Sequence, residues 1–300
     1  MTVERCGIVA IVGRPNVGKS TLLNHLLGQK ISITSRKPQT TRHRILGVDT
    51  RGNDQLVFVD TPGLHRDNGR ALNRFMNRSA LGSMGDVDII VMVLDRLEWG
   101  EEDEAIAERA LQRGVPVILV VNKVDKLESK AVLLPFLEDT AKRYEFSAIV
   151  PLSALRSQNL DSLVGELRSR LPEAAHLFPP DQVTDRSERF LVAEIVREKL
   201  IRQLGEELPY SNTVQIEEFR DEGTIVHISA LIVVEKDGQK AIVIGKGGSR
   251  LKKIGEEARA DIERLIDTKV MLKLWVKVRS GWADDERALR SLGYVDDKQG

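Results

Sequence analysis

The sequence GRPNVGKS comprises Gly13, Arg14, Pro15, Asn16, Val17, Gly18, Lys19 and Ser20. It follows an apolar run, Gly7 to Val12, and Thr21 continues it into a helical pattern that ends near Leu27. Glycines allow several backbone N–H groups to point at one anion, in conformations that most residues resist. The lysine adds positive charge, the serine hydroxyl suits magnesium, and a helix N-terminus favours phosphate. These residues predict a phosphate-binding loop between a strand and a helix.

Short apolar runs alternate with helical patterns through the first half of the chain, which is typical of an α/β fold with a doubly wound parallel sheet. The predicted strands are Gly7–Val12, Ile45–Val48, Leu56–Val59, Asp88–Leu94, Val115–Val121 and Ala148–Leu152. The predicted helices are Ser20–Leu27, Leu72–Ser83, Glu101–Gln112, Ser129–Tyr144 and Leu160–Arg170. Ligands of such sheets bind beyond the carboxyl ends of the strands.

A second motif, Asp60-Thr61-Pro62-Gly63, follows the predicted strand Leu56–Val59 and precedes Leu64. The Asp60 carboxylate can hold magnesium, and the Gly63 N–H can approach a γ-phosphate. Such a motif alone also fits a plain turn, but its distance from the phosphate loop favours the nucleotide interpretation. Thr41 is the expected switch threonine, the residue that coordinates magnesium only when the γ-phosphate is present. Thr40 is the alternative. The ordinary explanation is a hydroxyl that only stabilises a turn. Mg²⁺ is therefore expected on Ser20, Thr41 and Asp60.

A third motif, Asn122-Lys123-Val124-Asp125, follows the strand Val115–Val121. A carboxylate at Asp125 can accept from N1–H and the 2-amino group of guanine, whereas adenine offers neither donor, so the motif predicts GTP as the nucleotide. Asn122 should tie loops together and approach the purine N7, and Lys123 should pack over the ring. In Ser153-Ala154-Leu155, the Ala154 N–H should meet the guanine O6.

A second pattern begins after Pro172, Pro179 and Pro180, which mark a linker. The order is helix, two strands, two helices and a last strand, with Gly245-Lys246-Gly247-Gly248 between the adjacent helices. The remaining candidate RNA-binding residues are Ile242, Ile244, Arg250, Lys252 and Lys253. Residues 245–279 hold ten Lys or Arg and five Asp or Glu within a chain of net charge zero. The ordinary alternative is a glycine turn beside a solvated basic helix.

The second pattern resembles a type II KH domain, a smaller α+β module in which a Gly-x-x-Gly turn meets phosphates and apolar side chains face about four nucleotides. The whole chain resembles the Era family of bacterial ribosome-assembly GTPases. The resemblance rests on the phosphate loop and on four further segments: Lys37–Arg42, Asp60–Gly63, Leu208–Ser211 and Gly281–Arg290. It implies binding to the 3′ end of small-subunit ribosomal RNA, a role in maturation of a 16S-type 3′ end and in assembly of that subunit, and association with the inner-membrane surface.

Hydrolysis should be slow without stimulation, because Leu64 stands where many GTPases have a glutamine that orients water. Lys19, Thr41 and Gly63 are the expected groups around the reacting phosphate. Asn16 is similar to the loop asparagine of potassium-stimulated relatives, so K⁺ is a hypothesis for this site.

The expected organisation is a GTPase domain over residues 1–175, a linker over 176–185, a KH domain over 186–280 and a tail over 281–300. One cysteine, no signal-peptide pattern and no apolar run of about 18 residues favour a cytoplasmic protein. We expect a monomer. The alternative function is a GTPase timing switch for cell division or metabolism, whose second domain docks protein or membrane.

Overall fold

The computed structural model describes residues 3–35, 40–60, 72, 87–204, 212–292 and 294. They fall into two compact units. The first unit contains the described residues up to 32, from 41 to 60 and from 87 to 185. The second contains residues 33–35, 40, 72 and everything described from 186 onward. In the described residues, no helix has both the length and the apolar character needed to cross a membrane.

The first unit is built on a six-stranded sheet of order β2-β3-β1-β4-β5-β6. The strands are β1 Arg5–Val12, β2 Ile45–Arg51, β3 Asp54–Asp60, β4 Ile89–Asp95, β5 Val117–Asn122 and β6 Ala148–Pro151. Continuous apolar runs predicted buried strands, and β4 and β5 are almost wholly buried. The predicted doubly wound sheet is confirmed. The difference is β2, which pairs antiparallel with β3 because only a two-residue turn joins them.

The helices of this unit are α1 Lys19–Leu27, α2 Glu101–Leu111, α3 Leu133–Arg143 and α4 Leu160–Arg168. The predicted helix Ser129–Tyr144 begins late, since a 3₁₀ turn occupies Lys130–Val132. Pro135 then lies in the first turn of α3, where a missing N–H is tolerated. The predicted helix Leu72–Ser83 lies outside the described residues, except for Leu72.

Residues 176–185, the segment predicted as a linker, group with the first unit. The Gln55 side-chain oxygen accepts from the Leu177 N–H at 2.8 Å and the Phe178 N–H at 3.0 Å. The Thr184 hydroxyl donates to the Leu46 carbonyl at 2.7 Å. The prolines indicated a break in regular structure, and hydrogen bonds to the buried Gln55 and to Leu46 fix the path of this segment.

The second unit has the predicted order of helix, two strands, two helices and a strand. Its elements are α5 Glu188–Gln203, β7 Asn212–Asp221, β8 Ile225–Val234, α6 Asp237–Ile244, α7 Ser249–Ile266 and β9 Lys269–Val278. The central strand β8 pairs antiparallel with β7 and parallel with β9. One apolar core joins a face of this sheet to the three helices.

The segment predicted as a tail contains structure that the sequence analysis did not predict. Helix α8, Glu286–Ser291, begins at Asp285, whose side chain accepts from the N–H groups of Arg287 and Ala288. The Trp282 side chain is fully buried. The described residues of the tail, 281–292 and 294, are therefore part of the second unit, and burial of Trp282 helps to hold them there.

Candidate functional site

The phosphate-loop octapeptide links β1 to α1 as predicted. At Gly18 the backbone has φ of 106°, and a Cβ there would lie 2.4 Å from the Asn122 side-chain nitrogen. Both facts exclude a larger residue. The Lys19 ammonium donates to the carbonyls of Gly13 and Arg14, each at 2.9 Å. The loop thus encloses a cation at the N-terminus of a helix, which is an anion-binding arrangement.

The Lys19 side chain is buried, and this lowers its pKa to about 8, while the nearby Asp60 carboxylate opposes the shift. Desolvation disfavours the charged ammonium, whereas an anion beside it favours that form. A phosphate group in the loop would therefore raise the pKa of Lys19, and binding of phosphate and of a proton are coupled.

The three predicted magnesium ligands lie together. The Ser20 hydroxyl donates to Asp60 Oδ2 at 2.8 Å and lies 2.9 Å from the Thr41 hydroxyl. The Thr40 hydroxyl instead pairs with Ser35 at 2.7 Å. Hydroxyl and carboxylate oxygens suit a hard divalent cation such as Mg²⁺. Of the two candidate threonines, the structure brings Thr41 to Ser20.

Ser32 is a site residue that the sequence analysis missed. Its fully buried hydroxyl donates to Asp60 Oδ2 at 2.8 Å. The Asn24 side chain on α1 fixes this position, since it accepts from the Ile31 and Ser32 N–H groups and donates to the Ser32 carbonyl. A lone serine in a loop carries no sequence signal for such a contact.

Asn122 joins the predicted base-binding loops to the phosphate loop. Its side-chain nitrogen donates to the Val17 carbonyl at 2.8 Å. Its side-chain oxygen accepts from the N–H groups of Lys123 at 2.8 Å and Ala154 at 3.0 Å. The Ala154 amide assigned to guanine O6 is thus directed at Asn122 here, and its contact with the base stays a prediction.

Lys123 crosses between loops in the same way. Its ammonium donates to the Asn16 carbonyl at 2.7 Å and to Asp95 Oδ2 at 2.8 Å. Asp95, at the end of β4, was not predicted, although its place at a strand end was a usable signal. Asp125 accepts from the Ser153 hydroxyl at 2.5 Å. Asp125, which is predicted to recognise guanine, therefore lies beside the Ser153 loop.

Arg14 makes a further contact that the sequence did not reveal. Its Nε lies 2.7 Å from a carboxylate oxygen of Asp103, which is fully buried in the first turn of α2. Burial raises the pKa of Asp103, against the lowering effects of the Gly100 N–H and of Arg14. This pair ties the phosphate loop to α2.

Some of the other predicted site residues lie within the described residues, and the rest lie outside them. Pro15, Val17, Thr21, Val124 and Leu155 lie in or beside the same loops. Thr61, Pro62, Gly63 and Leu64 lie outside the described residues, as do segments 37–39 and 208–211. The roles assigned to them stay predictions.

The glycine turn of the second unit joins α6 to α7. Gly245 has φ of 72°, and a Cβ there would lie 2.8 Å from the Arg250 Cβ, so this position requires glycine. Lys246 and Gly247 are exposed, whereas Arg250 donates to the Ile242 carbonyl at 2.6 Å at the end of α6. Arg250 therefore has a structural contact that its predicted RNA role did not include.

The remaining candidate RNA residues have different exposures. The side chains of Lys252 and Lys253 are 80% and 61% exposed, and each reaches a carboxylate one helical turn away only at 4.0 Å. Such exposed pairs contribute little and leave the cations available. Ile242 and Ile244 are partly buried against the core of the unit.

A buried ion pair on α5 contacts the segment that precedes Thr41. Arg197 forms hydrogen bonds with the Glu194 carboxylate at 2.6 and 2.7 Å and with the Thr40 carbonyl at 2.5 Å. Burial acts to lower the pKa of Arg197, but the Glu194 carboxylate outweighs it and the pKa is raised. Arg197 and Thr40 are distant in sequence, so no local pattern indicated this contact.

Two family models match the chain: a 50S ribosome-binding GTPase over residues 8–123 and a KH domain over residues 207–283. GTPase Era of Ectopseudomonas mendocina is 60% identical over 294 residues, covering 98% of each chain. GTPase Era of Pseudomonas aeruginosa PAO1 is 60% identical over 293 residues, covering 98% of this chain and 96% of that protein. The chain belongs to the Era GTPase family.

Solved structures agree with this assignment. The crystal structure of a tyrosine-to-alanine variant of Aquifex aeolicus Era bound to GDP·AlF₄⁻ superposes with a TM-score of 0.93, at 41% identity, over 97% of this chain and all of that one. A structure of Era in complex with MgGDPNP and nucleotides 1506–1542 of 16S ribosomal RNA gives 0.93 and 42%, over 98% of this chain. The predicted combination of a P-loop GTPase domain with a KH domain is confirmed, and the chain is a GTP hydrolase of the Era family.

Proposed function

We propose that this chain is a GTP-controlled RNA-binding protein that acts in small ribosomal subunit assembly and in maturation of the 16S-type 3′ end. The observation that carries the proposal is the close similarity, over 98% of the chain, to an Era structure that holds a GTP analogue together with 16S ribosomal RNA. The proposed GTPase module spans residues 1–175 and the proposed RNA-binding module spans 186–280.

Guanine selection is assigned to Asp125, supported by the Ser153 hydroxyl beside it. A carboxylate that a bound base covers without offering it an N1–H or 2-amino group loses free energy, so ATP is rejected. Asn122 holds the base-binding loops against the phosphate loop through Val17. Lys123 packs over the base while Asp95 holds its ammonium in place.

Mg²⁺ is assigned to Ser20, Thr41 and Asp60. The Ser20 hydroxyl lies within hydrogen-bond distance of side-chain oxygens of both other residues. When bound, the ion neutralises charge on the β- and γ-phosphates. Ser32 orients the Asp60 carboxylate by donating to it. Lys19 contributes a positive charge to the same phosphates, and we assign the Gly63 N–H to the γ-phosphate.

Hydrolysis is slow in the resting protein because Leu64 cannot orient water by a hydrogen bond. Asn16 has φ of 65°, which places it at a sharp turn of the phosphate loop. We assign a K⁺ ion to this side of the loop, where its charge would substitute for an arginine finger. Replacing K⁺ by Na⁺ is expected to slow hydrolysis, and equal rates with the two ions would overturn the assignment.

The RNA 3′ end is assigned to the turn Gly245–Gly248, with Lys246, Lys252 and Lys253 as phosphate partners. Ile242 and Ile244 form the apolar wall for the bases. A monomer in the cytoplasm, with peripheral contact to the inner membrane, completes the proposal. The alternative is a timing switch for cell division or metabolism, whose second unit docks a protein or a membrane.

Binding of a labelled 16S 3′-end oligonucleotide separates these functions. Lys246→Asp places a carboxylate at the phosphate-binding turn, and we expect it to reduce affinity by at least tenfold without changing GDP affinity. Arg287→Ala removes one exposed charge from the same unit and serves as the matched control. A wild-type chain that does not bind the oligonucleotide, or binds a scrambled one equally well, would favour the alternative.

A further inference from the structure

The outer face of β9 carries a row of exposed cationic and apolar side chains. Alternate residues of this strand, from Val270 to Val278, pack into the core of the second unit. The residues between them point the opposite way. We call these the outer row: Lys269, Met271, Lys273, Trp275 and Lys277, all exposed.

The outer row is positively charged without compensation. In the described part of the chain, none of its three lysines forms an ion pair. Two acidic residues, Glu218 on β7 and Glu222 just after it, pair with other side chains. Glu218 contacts Ser229 and Arg220, and Glu222 contacts Arg220 and His227. Positive potential is therefore concentrated along β9.

Trp275 lies at the centre of this row. Its cross-strand neighbour is Leu231, and the adjacent pair is Val233 with Lys277. Leu231 and Val233 are buried, whereas Trp275 is 39% exposed and Met271 is 45% exposed. The face therefore offers an aromatic ring above an apolar floor, with a lysine two residues away on each side.

Protection of a sheet edge does not account for the whole row. Lysines on an edge strand discourage pairing with another chain. Exposed Trp275 and Met271 have the opposite effect, because apolar side chains on an edge promote association. An aromatic ring between cations is suited to a ligand that presents both a flat apolar surface and negative charge.

We propose that the outer row is a second contact surface for single-stranded RNA, in which Trp275 stacks on a base and Lys273 and Lys277 pair with phosphates. Bases stack on aromatic rings regardless of sequence, and a cationic groove follows the backbone. The proposal rests on the proposed RNA-binding function and extends the RNA path beyond the Gly245–Gly248 turn.

An anionic membrane is the competing ligand for a cationic and aromatic surface. Membrane binding uses a continuous apolar face buried below the headgroups. In the outer row, lysines separate Met271 from Trp275 and flank both, so no continuous apolar face is formed. The alternation instead matches that of bases and phosphates along one strand.

Oligonucleotide length provides the test. RNA of about four nucleotides fills a KH groove alone, and RNA of about twelve can also reach the outer row. In the full-length protein, Trp275→Ala should weaken binding of the longer RNA at least fivefold and leave the shorter within twofold. Trp275→Phe should restore most of the loss, since a phenyl ring also stacks.

Salt dependence tests the lysines. Replacing both Lys273 and Lys277 by alanine should reduce the slope of log affinity against log salt by about 1.4 for the longer RNA. Arg287→Ala should leave that slope unchanged. Tryptophan emission should also be quenched by the longer RNA, and this quenching should be largely lost in Trp275→Phe.

Several results would overturn the proposal. Equal losses of affinity for the shorter and the longer RNA would indicate a structural role for Trp275. Wild-type RNA affinity in all outer-row variants would show that the outer row has no role in RNA binding. Binding to vesicles of phosphatidylserine and phosphatidylcholine that requires Trp275, with unchanged RNA affinity, would assign the row to membranes. If Lys246→Asp abolishes RNA binding while outer-row variants behave as wild type, the proposed function stands and this inference fails. If the wild type binds neither RNA, both fail.

Discussion

At the residue scale, the nucleotide site depends on side chains that serve two loops at once. Asn122 contacts Val17, Lys123 and Ala154, so three loops share one amide group. Asp60 accepts from both Ser20 and Ser32. Because such groups are buried, removing one partner leaves another unsatisfied, at a cost of about 1–3 kcal/mol.

Asp125→Asn tests the assignment of guanine recognition to Asp125. The amide would present a donor where guanine also presents one, so GTP affinity should fall by about 100-fold or more. Xanthine nucleotides, which offer a carbonyl at position 2, should bind better than GTP. Competition against labelled GDP measures both affinities, and unchanged preference for guanine would contradict the assignment.

Ser32→Ala tests the residue found beside Asp60. Loss of its hydroxyl removes a hydrogen bond that orients a proposed magnesium ligand, so Mg²⁺-dependent affinity for a GTP analogue should fall about tenfold. Ser35→Ala, which removes a hydroxyl bonded to Thr40 instead, is the matched control. Equal effects of the two substitutions would show that Ser32 has no special role.

Lys19 gives the site a pH dependence. Its pKa of about 8 is below the usual lysine value because the side chain is buried. GDP affinity should be highest below pH 8 and decline as pH rises through 8, since the neutral amine no longer attracts phosphate. Guanosine, which lacks phosphate, corrects for titration of the base. A ratio of GDP to guanosine affinity that stays constant up to pH 9.5 would contradict this account.

At the element scale, α5 contains a buried ion pair that the sequence analysis did not predict. Arg197→Met should destabilise the second unit by about 3–5 kcal/mol, because it removes the guanidinium that forms a buried ion pair with the Glu194 carboxylate. The double change Arg197→Met with Glu194→Leu should recover most of that loss. Hydrogen exchange in β8 reports the stability of this unit.

Arg264→Ala, on α7, compares an exposed ion pair with the buried one on α5. Arg264 pairs with Asp261, but its side chain is 77% exposed, so the loss should be below about 1 kcal/mol. If Arg197→Met were equally mild, the buried pair would contribute little to the second unit. If the double variant were no better than the single one, the cost would lie in the lost contact with Thr40.

Apolar patterns predicted most elements, because a strand or helix that buries one or both faces has apolar residues at regular positions close together in the sequence. The run Ile89 to Leu94 is an example, since every residue in it is buried. Helix α8 was missed because it is short and begins at a local cap on Asp285. Ser32, Asp103 and Arg197 were missed because their partners are distant in sequence, and no local pattern records such contacts.

At the scale of the whole molecule, a phosphate-binding domain and a KH domain are parts of one chain of the Era family. The motifs predicted this combination because each of them requires particular residue types at fixed spacing. What no motif records is the coupling between GTP and RNA. A ligand changes an equilibrium only by its difference in affinity for the two states.

The most direct test is the affinity of a labelled 16S 3′-end oligonucleotide measured with GDP and with a non-hydrolysable GTP analogue. A scrambled oligonucleotide is the control in both nucleotide states. We predict tighter, sequence-selective binding with the analogue, because GTP orders the switch segments and favours the RNA-binding state. Equal affinity in the two states would contradict GTP control, and absence of binding in both would contradict the RNA function itself.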